Sequence, residues 1–360
     1  MQPRGVINTV ALVVVGSFQA AFIVAMLALL VAAHRHARGN DAVDVAAVDA
    51  VREPLRALML GEDHGEYLAV ALGRLHRDAA IRQLLSIAAS QLAPEQLRDL
   101  VARVRPAPWV ARTLARGTSR AWWKRIEAAR LLAVVHSPAD SALLARLVCD
   151  PHPAVASAAT GAIAGYADAA LIDVIIRGLS NQPTAVRLQQ MRALRSHADA
   201  ATLVVVAQLA DEGSPATSRA LVQLAEVLGT PDALAAVVPF AACGDVEVRA
   251  TVARALRSCF MPAGVEAARS LLADTDWRVR AAAARALGSL NATDTIPDLQ
   301  AALRDEWWWV RFRAALALGA LGEAGELALA EATGSDDAFA RDMAIMVRNL
   351  STSARLELSA

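Results

Sequence analysis

One feature constrains the fold of this chain more than any other: an arginine recurs at a nearly constant interval through more than half of its length. Arg249, Arg280 and Arg311 each follow a valine and are evenly spaced. Positions in the same phase, all arginine except Ala156, extend the series in both directions: 125, 156, 187, 219, 249, 280, 311 and 341. A unit of roughly 30 residues cannot bury a core of its own, so successive units must stack on one another. The period therefore predicts a repeat array.

Each unit has the pattern of two short helices. In the unit around Arg280, the predicted helices are Val265–Leu272 and Trp277–Leu290. Apolar residues of the second segment fall at offsets of 0, 4, 7, 8 and 11, which places them on one helix face: Val279, Ala283, Ala286, Leu287 and Leu290. Gly288 and Gly319 are interpreted as glycines that end the second helices. The repeat unit is thus predicted to be a helical hairpin.

The composition agrees with close-packed helices. Hydrophobic residues make up 56 % of the chain and aromatic residues only 4 %, and alanine is the commonest residue. A β-sandwich would need more β-branched and aromatic residues. The 36 basic and 36 acidic residues give a net charge of zero, which argues against nucleic acid as a partner. The three cysteines are odd in number and widely spaced, which favours buried thiols over disulfides or zinc.

The N-terminal segment predicts a membrane anchor. The stretch from Val6 to Ala33 carries no formal charge and is longer than the about 20 residues that a bilayer-spanning helix needs. It is also longer than the apolar region of a signal peptide, so residues 1–33 are interpreted as a retained single-pass anchor. Arg35 and Arg38 follow the span and Arg4 precedes it, which favours a cytoplasmic array at a bacterial inner membrane.

Four further segments follow the predicted anchor. Residues 34–53 are interpreted as a juxtamembrane linker, and residues 54–105 as a helical cap outside the phase of the repeat. The cap contains three predicted helices, His64–Arg77, Asp78–Ser90 and Pro94–Val104. Terminal units of repeat arrays are atypical because they cover an exposed core. Residues 106–350 are assigned to the array and residues 351–360 to a disordered tail.

The repeated Asp, Val-Arg, Ala and Ala-Leu-Gly positions resemble HEAT repeats, in the short form found in phycobilisome-lyase-like proteins. The resemblance covers about residues 106–350. It implies an all-α, right-handed solenoid of about seven to eight hairpins, preceded here by the predicted transmembrane helix. It also implies a structural ladder between neighbouring units, formed by Asp245, Arg249, Asp274, Arg280, Asp305 and Arg311.

No catalytic constellation is visible in the sequence. A Gly-rich phosphate loop and a Gly-x-Ser-x-Gly elbow are both absent from the chain, and the seven histidines are scattered. The His-Glu dipeptides of HEAT-type iron hydroxylases are absent too. We therefore expect no catalytic residue, no cofactor and no metal site, and a chain that is not an enzyme.

The tryptophans recur with the repeat. Trp122, Trp277 and Trp308 occupy the same repeat position, and Trp123 and Trp309 occupy the next one. In a packing interpretation, Trp277 and Trp308 seat the start of the second helix. The run Trp307–Trp309 is different, because three successive residues point in different directions and at least one should be exposed. Exposed tryptophan near arginine is typical of interface hot spots. The predicted partner-binding residues are Trp307, Trp308, Trp309, Arg313, Trp122, Trp123 and Trp277.

Two classes of function remain open at this point. The anchor, the cap, the Trp122–Arg125 segment and the Trp-rich penultimate unit resemble membrane-anchored bacterial HEAT proteins encoded beside family 2 glycosyltransferases. That resemblance implies a scaffold that binds an integral membrane glycosyltransferase and aids in making or exporting a surface polysaccharide. The alternative is a bilin lyase or a chaperone for a modified protein, by analogy with phycobilisome-lyase-like proteins. The chain's two tyrosines and its predicted anchor favour the scaffold.

Overall fold

The computed structural model describes residues 45–89, 92–163, 165–211 and 213–359. Within these ranges the regular structure is entirely helical, with no β-strand. This confirms the predicted all-α class. The chain divides into two compact units, with the boundary between Ala115 and Arg116.

The first unit contains five helices among the described residues. They are α1 at residues 45–59, α2 (Glu66–Arg74), α3 (Arg77–Ala88), α4 (Pro94–Val104) and α5 (Pro108–Ala115). Their leucines form a fully buried core that includes Leu58, Leu68, Leu72, Leu84 and Leu100. Helix α2 begins after Gly65, whose φ of 87° is in the left-handed region and whose added Cβ would lie 3.0 Å from the Cα of Leu100. Both the turn and the contact with α4 therefore need a glycine.

The boundaries of this unit differ from the predicted ones at both ends. Residues 45–53, interpreted as linker, lie in α1, because Ala47 and Val51 are apolar residues four apart that are buried together with Leu58. Helix α5 also belongs to the first unit, whereas the array was predicted to begin at residue 106. Helices α2, α3 and α4 occupy the three helical segments predicted for the cap.

The predicted anchor, Val6 to Ala33, lies outside the described residues. Among the helices that the structure does describe, none combines the length and the apolar character needed to cross a bilayer.

The second unit is a row of helical hairpins. Its helices are α6 (Trp122–Val135), α7 (Ser141–Val148), α8 (Pro153–Ile163), α9 (Ala169–Gly178), α10 (Thr184–Leu194), α11 (Ala198–Ala210), α12 (Pro215–Leu228), α13 (Pro231–Val237), α14 (Val246–Ala255), α15 (Pro262–Leu271), α16 (Trp277–Ser289), α17 (Ile296–Ala302), α18 (Trp308–Ala320), α19 (Gly322–Ala332), α20 (Ala338–Arg348) and α21 (Thr352–Ser359). The even-numbered helices from α6 to α20 are the second helices of the repeats, and each packs against the next. Seven hairpins, α7–α8 to α19–α20, thus follow α6, in agreement with the predicted solenoid.

Small residues allow the second helices to approach closely. Ala283, Ala284 and Ala286 of α16 are fully buried, as are Ala314 and Ala315 of α18. At the helix crossing, a Cβ added to Gly288 would lie 2.8 Å from the Cα of Ala317. Gly288 and Gly319 therefore do not end their helices as expected. Both lie inside them, and neither has a positive φ.

The C-terminal segment is helical, so the prediction of a disordered tail is wrong. Helix α21 packs against α18, and its Arg355 forms an ion pair with Glu326 of α19. Arg313 of α18 donates a hydrogen bond from Nη1 to the carbonyl oxygen of Leu358, 2.5 Å away. These contacts are between polar groups, and α21 shows no periodic row of apolar residues. The sequence pattern therefore did not reveal the helix.

Candidate functional site

The recurrent arginine binds two neighbouring turns of the array. Nη1 of Arg280 donates to the carbonyl oxygens of Asp274 and Thr275, in the turn that precedes its own helix. Its Nε and Nη2 donate to the two carboxylate oxygens of Asp305, at 2.7 and 2.9 Å. Asp305 lies in the turn before the next second helix, so one side chain joins two successive units. Bidentate pairs of this kind are geometrically specific.

The same arrangement occurs in three places, and the two partners are equally far apart in the sequence each time. Arg249 binds Asp274 at 2.6 and 3.1 Å, and Arg125 binds Asp150 at 2.6 and 2.8 Å. In each pair both side chains are at most 16 % exposed. The Arg125–Asp150 pair was missed from the sequence, although Arg125 belongs to the arginine series and Asp150 follows it at the common separation.

The ion pairs shift the carboxylates toward the charged form. Burial by itself raises the pKa of Asp274 and of Asp305. Hydrogen bonds from Arg249 and Arg280, and from the backbone N–H groups of Asp276 and Trp307, outweigh burial, so both pKa values lie below the usual range.

Two residues predicted for the ladder do not form its ion pairs. Asp245 instead caps α14, since its Oδ1 accepts a hydrogen bond from the backbone N–H of Val248 at 3.0 Å. Arg311 donates to the carbonyl oxygens of Asp305 and Glu306, and its guanidinium lies 4.6 Å from the ring centroid of Phe339. Like Arg280, Arg311 binds the turn that precedes its own helix. Where Arg280 pairs with a carboxylate of the next unit, Arg311 lies against an aromatic ring of the next unit.

The first of the three consecutive tryptophans occupies a helix-capping position. Aspartates four residues before the recurrent arginine cap three of the second helices: Asp245, Asp276 and Asp337 each accept a backbone N–H. In α18 this position is Trp307, which has no side-chain capping bond. The indole Nε1 of Trp307 donates instead to Glu306, 3.0 Å away. This unit therefore has an aromatic ring where other units have a stabilising cap.

All three of these tryptophans are exposed. Trp307, Trp308 and Trp309 are 44 %, 42 % and 49 % exposed, where the sequence predicted that at least one would be. Trp307 stacks on Trp277 of the preceding unit, with centroids 5.3 Å apart and planes inclined by 15°. Trp308 stacks on Phe312 at 4.9 Å and meets Trp309 edge-on at 4.7 Å. We call Trp277, Trp307, Trp308 and Trp309 the tryptophan cluster.

The other predicted tryptophans lie at the start of α6, five units before Trp277 and six units before Trp307–Trp309. Trp122 and Trp123 are 42 % and 55 % exposed. The Trp122 ring stacks on His152 with centroids 4.2 Å apart and an interplanar angle of 3°. The structure therefore divides the predicted partner-binding residues between two places.

Beside the tryptophan cluster lies a cleft that sequence reasoning missed. It has a volume of about 240 Å³ and is lined by α14, the turn after it, α16 and α18. Two tryptophans and five arginines supply most of its lining: Trp277, Trp309, Arg254, Arg257, Arg278, Arg285 and Arg313. We call it the arginine cleft. A sequence signal existed, because Arg254 and Arg285 occupy the same position in successive repeats.

The arginines that line the cleft have different surroundings. Arg278 binds Glu247 at 2.7 Å and Asp276 at 3.0 Å, and these carboxylates raise its pKa. Burial lowers the pKa of Arg285 and of Arg313, and the positive charge of Arg257 lowers both further. Arg254 and Arg313 donate to the neutral oxygens of Thr251 and Leu358.

The described residues contain no group of three His, Cys, Asp or Glu side chains placed to hold a metal ion.

The sequence profile of HEAT repeats matches residues 265–347, which run from α15 to α20. The repeats that carry the tryptophan cluster are thus of the HEAT type. A search of curated proteins gives no significant match.

Solved structures with similar folds include several repeat proteins at low identity. Importin beta has a TM-score of 0.46 and 13 % identity, over 84 % of this chain and 47 % of that one. The complex of CpcE and CpcF of phycocyanin lyase from Nostoc has a TM-score of 0.36 and 22 % identity, over 51 % of this chain and 76 % of that one. Human deoxyhypusine hydroxylase has a TM-score of 0.30 and 17 % identity, over 79 % of this chain and 98 % of that one.

Two of these similar structures are of enzymes, which corrects one expectation. Because the sequence contains no familiar catalytic motif, it predicted a chain that is not an enzyme. A lyase complex and a hydroxylase among the similar structures contradict that conclusion. Similarity at this level assigns no activity to the chain, and fold alone does not decide function.

Proposed function

We propose that this HEAT-repeat protein is a scaffold that binds a protein partner through the tryptophan cluster. The observation that carries the proposal is the run Trp307–Trp309, three consecutive exposed indole rings at the start of α18. Tryptophan and arginine are the residue types most enriched at binding hot spots. A contiguous set of exposed aromatic rings on a soluble surface marks an interaction site.

The local structure supports a binding role over a packing role. A tryptophan at the capping position of α18 replaces a hydrogen bond worth about 1 kcal/mol in a helix. The rings stack on one another, which holds them in fixed orientations without burying them. Aromatic side chains fixed in this way lose little conformational entropy when a partner binds. The missing capping hydrogen bond thus lowers the stability of α18, and the exposed rings in its place favour partner binding.

The finer part of the proposal concerns the membrane and the partner's identity. We propose that Val6 to Ala33 anchors the chain in a bacterial inner membrane with the array in the cytoplasm, and that the partner is a membrane glycosyltransferase. The length of this uncharged stretch supports the anchor, and the family resemblance supports the partner. A reporter fused after Ala360 tests the orientation. It should be active as a cytoplasmic reporter and inactive as a periplasmic phosphatase, and the reverse pattern would overturn the orientation.

Partner binding is tested by affinity capture of the full chain from its membranes in mild detergent, followed by mass spectrometry. The decisive variants are Trp307→Ala and Trp309→Ala. Phe260→Ala is the control, because it also removes an aromatic ring, one that is 74 % exposed and lies outside the tryptophan cluster. All three should melt like the parent protein, because exposed rings contribute little to stability. Capture should fall at least tenfold for a cluster variant and stay unchanged for Phe260→Ala. Retained capture in both cluster variants would place the interface elsewhere.

A further inference from the structure

We infer that the outer face of α20 binds the same face of a second copy of this chain. The contact is centred on Ile345 and flanked by Asp342 and Arg348. It does not use the tryptophan cluster, so it is independent of the proposed function.

The first argument is that α20 lacks the neighbour that covers the other second helices. The residue four positions after the recurrent arginine is an alanine in α14, α16 and α18, and all three alanines are fully buried: Ala253, Ala284 and Ala315. In α20 the same position is Ile345, which is 43 % exposed. Each of the other three helices is followed by another second helix, whereas α20 is the last one that the structure describes. Ile345 therefore lies where a further repeat would pack.

The close approach of α16 and α18 shows which side of a second helix faces the following unit. A Cβ added to Gly288, eight residues after Arg280, would lie 2.9 Å from the Cβ of Ala317 on the next helix. Positions four residues apart lie on the same face of a helix. The position four residues after the arginine therefore faces the next unit as well. In α20 that position is Ile345, at the open end of the row.

Helix α21 does not cover this face. It turns back and packs against α18, where Nη1 of Arg355 lies 3.3 Å from the place of a Cβ added to Gly319. Phe339 and Met346 of α20 are exposed along with Ile345. Terminal units of soluble repeat arrays need a polar outer face. An outer face with three exposed apolar side chains is instead typical of an interaction surface.

The residue sizes on this face argue against a further repeat of the same kind as the occupant. The forward face of α16 has only small residues, which let α18 approach closely: Ala281, Ala284 and Gly288. The same positions of α20 hold Asp342, Ile345 and Asn349. An apolar centre between polar residues is the composition of a protein–protein interface. The face of α20 is thus suited to association rather than to continuation of the array.

Charge complementarity selects a second copy as the occupant. Asp342 and Arg348 are both exposed, three residues before and three residues after Ile345, or about 4.5 Å along the helix on either side. In an antiparallel pair of α20 helices centred on Ile345, each arginine is level with the aspartate of the other copy. A two-fold axis forms both ion pairs at once, as an interface between identical surfaces requires. The opposite charges also leave the face without net repulsion between copies.

The first test is a disulfide bond between two copies of the full chain in detergent micelles. Ile345→Cys places a thiol beside the two-fold axis, whereas Leu203→Cys is a control at a side chain of α11 that is 74 % exposed. Both variants carry alanine in place of the native cysteines, which are Cys149, Cys243 and Cys259. Under mild oxidation with copper phenanthroline, Ile345→Cys should form the covalent dimer at least tenfold faster than the control, as measured on non-reducing gels.

An exchange of charges separates this face from other contacts between copies, including contacts between the predicted anchors. Asp342→Arg and Arg348→Asp each give a face with charges of one sign, so each variant alone should self-associate at least tenfold more weakly than the parent chain. A mixture of the two variants should restore the dimer, because each face then meets one of opposite sign. Asp199→Arg is the matched control at an exposed aspartate of α11 and should change association less than twofold. Sedimentation with one variant labelled measures all four.

Three results would overturn the inference. One is a chain that stays monomeric, with equal rates of disulfide formation at positions 345 and 203. Another is a dimer that neither charge reversal weakens. The third is an α20 face whose engineered thiol is protected from labelling only when a captured partner is present, since a different protein would then cover it. None of these results bears on the tryptophan cluster, whose role is tested separately by partner capture with Trp309→Ala.

Discussion

The guanidinium of Arg280 holds both carboxylate oxygens of Asp305, the residue that opens the turn before the next second helix. The same side chain also holds two carbonyl oxygens of the turn before its own helix. It therefore fixes the orientation of one repeat relative to the next. In an array whose units contact only their neighbours, stability depends on such nearest-neighbour terms.

Replacement of Arg280 by alanine should destabilise the array by about 2–3 kcal/mol. The change leaves the carboxylate of Asp305 without its partner, and that side chain is only 13 % exposed. Hydrogen exchange should show the loss of protection in α16 and α18 first, because coupling is local. The matched control is Arg278→Ala two residues earlier, which removes the two ion pairs of an arginine that is 44 % exposed and should cost at most about 1 kcal/mol. Equal effects of the two substitutions would show that the ladder is not structural.

Acid should weaken the array through the same pairs. The pKa values of Asp274 and Asp305 lie below the unfolded value of about 3.9, so each carboxylate contributes stability that is present above that value. The contribution is lost as the pH falls through the lower, folded pKa. Thermal melts between pH 7 and pH 3 should show a drop below about pH 4 that is smaller in Asp305→Asn, since this variant has no proton to bind at that site. A melting temperature of the parent protein that does not change over this range would contradict the shifted carboxylates.

Two glycines in second helices should respond in opposite ways to alanine. At Gly288 a new Cβ would lie 2.8 Å from the Cα and 2.9 Å from the Cβ of Ala317, so α16 and α18 would have to separate. We expect a loss of about 1–3 kcal/mol despite the better helix propensity of alanine. At Gly161 of α8 the nearest atom would be the Cβ of Ala133 at 3.5 Å, an ordinary contact, and alanine should stabilise by up to about 1 kcal/mol. Chemical denaturation of the two variants checks both signs, and a stabilised Gly288→Ala would show that the helices do not meet this closely.

Period and pattern were enough to predict the hairpin array, because a repeated unit displays its buried face several times in one chain. The resemblance to HEAT repeats placed Arg280 and Asp305 in a ladder between units, and the structure shows that they pair with each other. Asp245 was assigned to the wrong role because an aspartate four residues before the arginine caps a helix, while one six residues before it pairs with the preceding unit. The two positions lie only two residues apart, and a single sequence does not show which aspartate caps a helix and which one pairs with an arginine.

The arginine cleft and helix α21 depend on contacts between side chains that are distant in the sequence. Arg254 and Arg313 come together only through the stacking of α14, α16 and α18. Helix α21 is held by Arg313 and by the ion pair of Arg355 with Glu326 of α19. The repeat period relates Arg254 to Arg285 but does not show that Arg313 and the two tryptophans meet them in one cleft, and α21 has no repeat signal. Both arrangements therefore needed the structure.

The final prediction separates the cost of Trp307 in stability from its use in binding. Ser214 caps α12 by accepting the backbone N–H of Thr217, so serine is a suitable capping residue in this fold. Trp307→Ser and Trp307→Ala both remove the ring and its stacking on Trp277. Only the serine can accept a backbone N–H at the start of α18, so Trp307→Ser should be more stable than Trp307→Ala by about 1 kcal/mol.

Binding should not follow this difference in stability. Both substitutions remove the same exposed ring, so both should reduce partner capture to the same extent, at least tenfold. The measurements are paired denaturation curves and affinity captures of the two variants under identical conditions. Capture that recovers in Trp307→Ser along with stability would mean that the tryptophan acts through the fold of α18, and the cluster would then be a packing feature instead of a binding site.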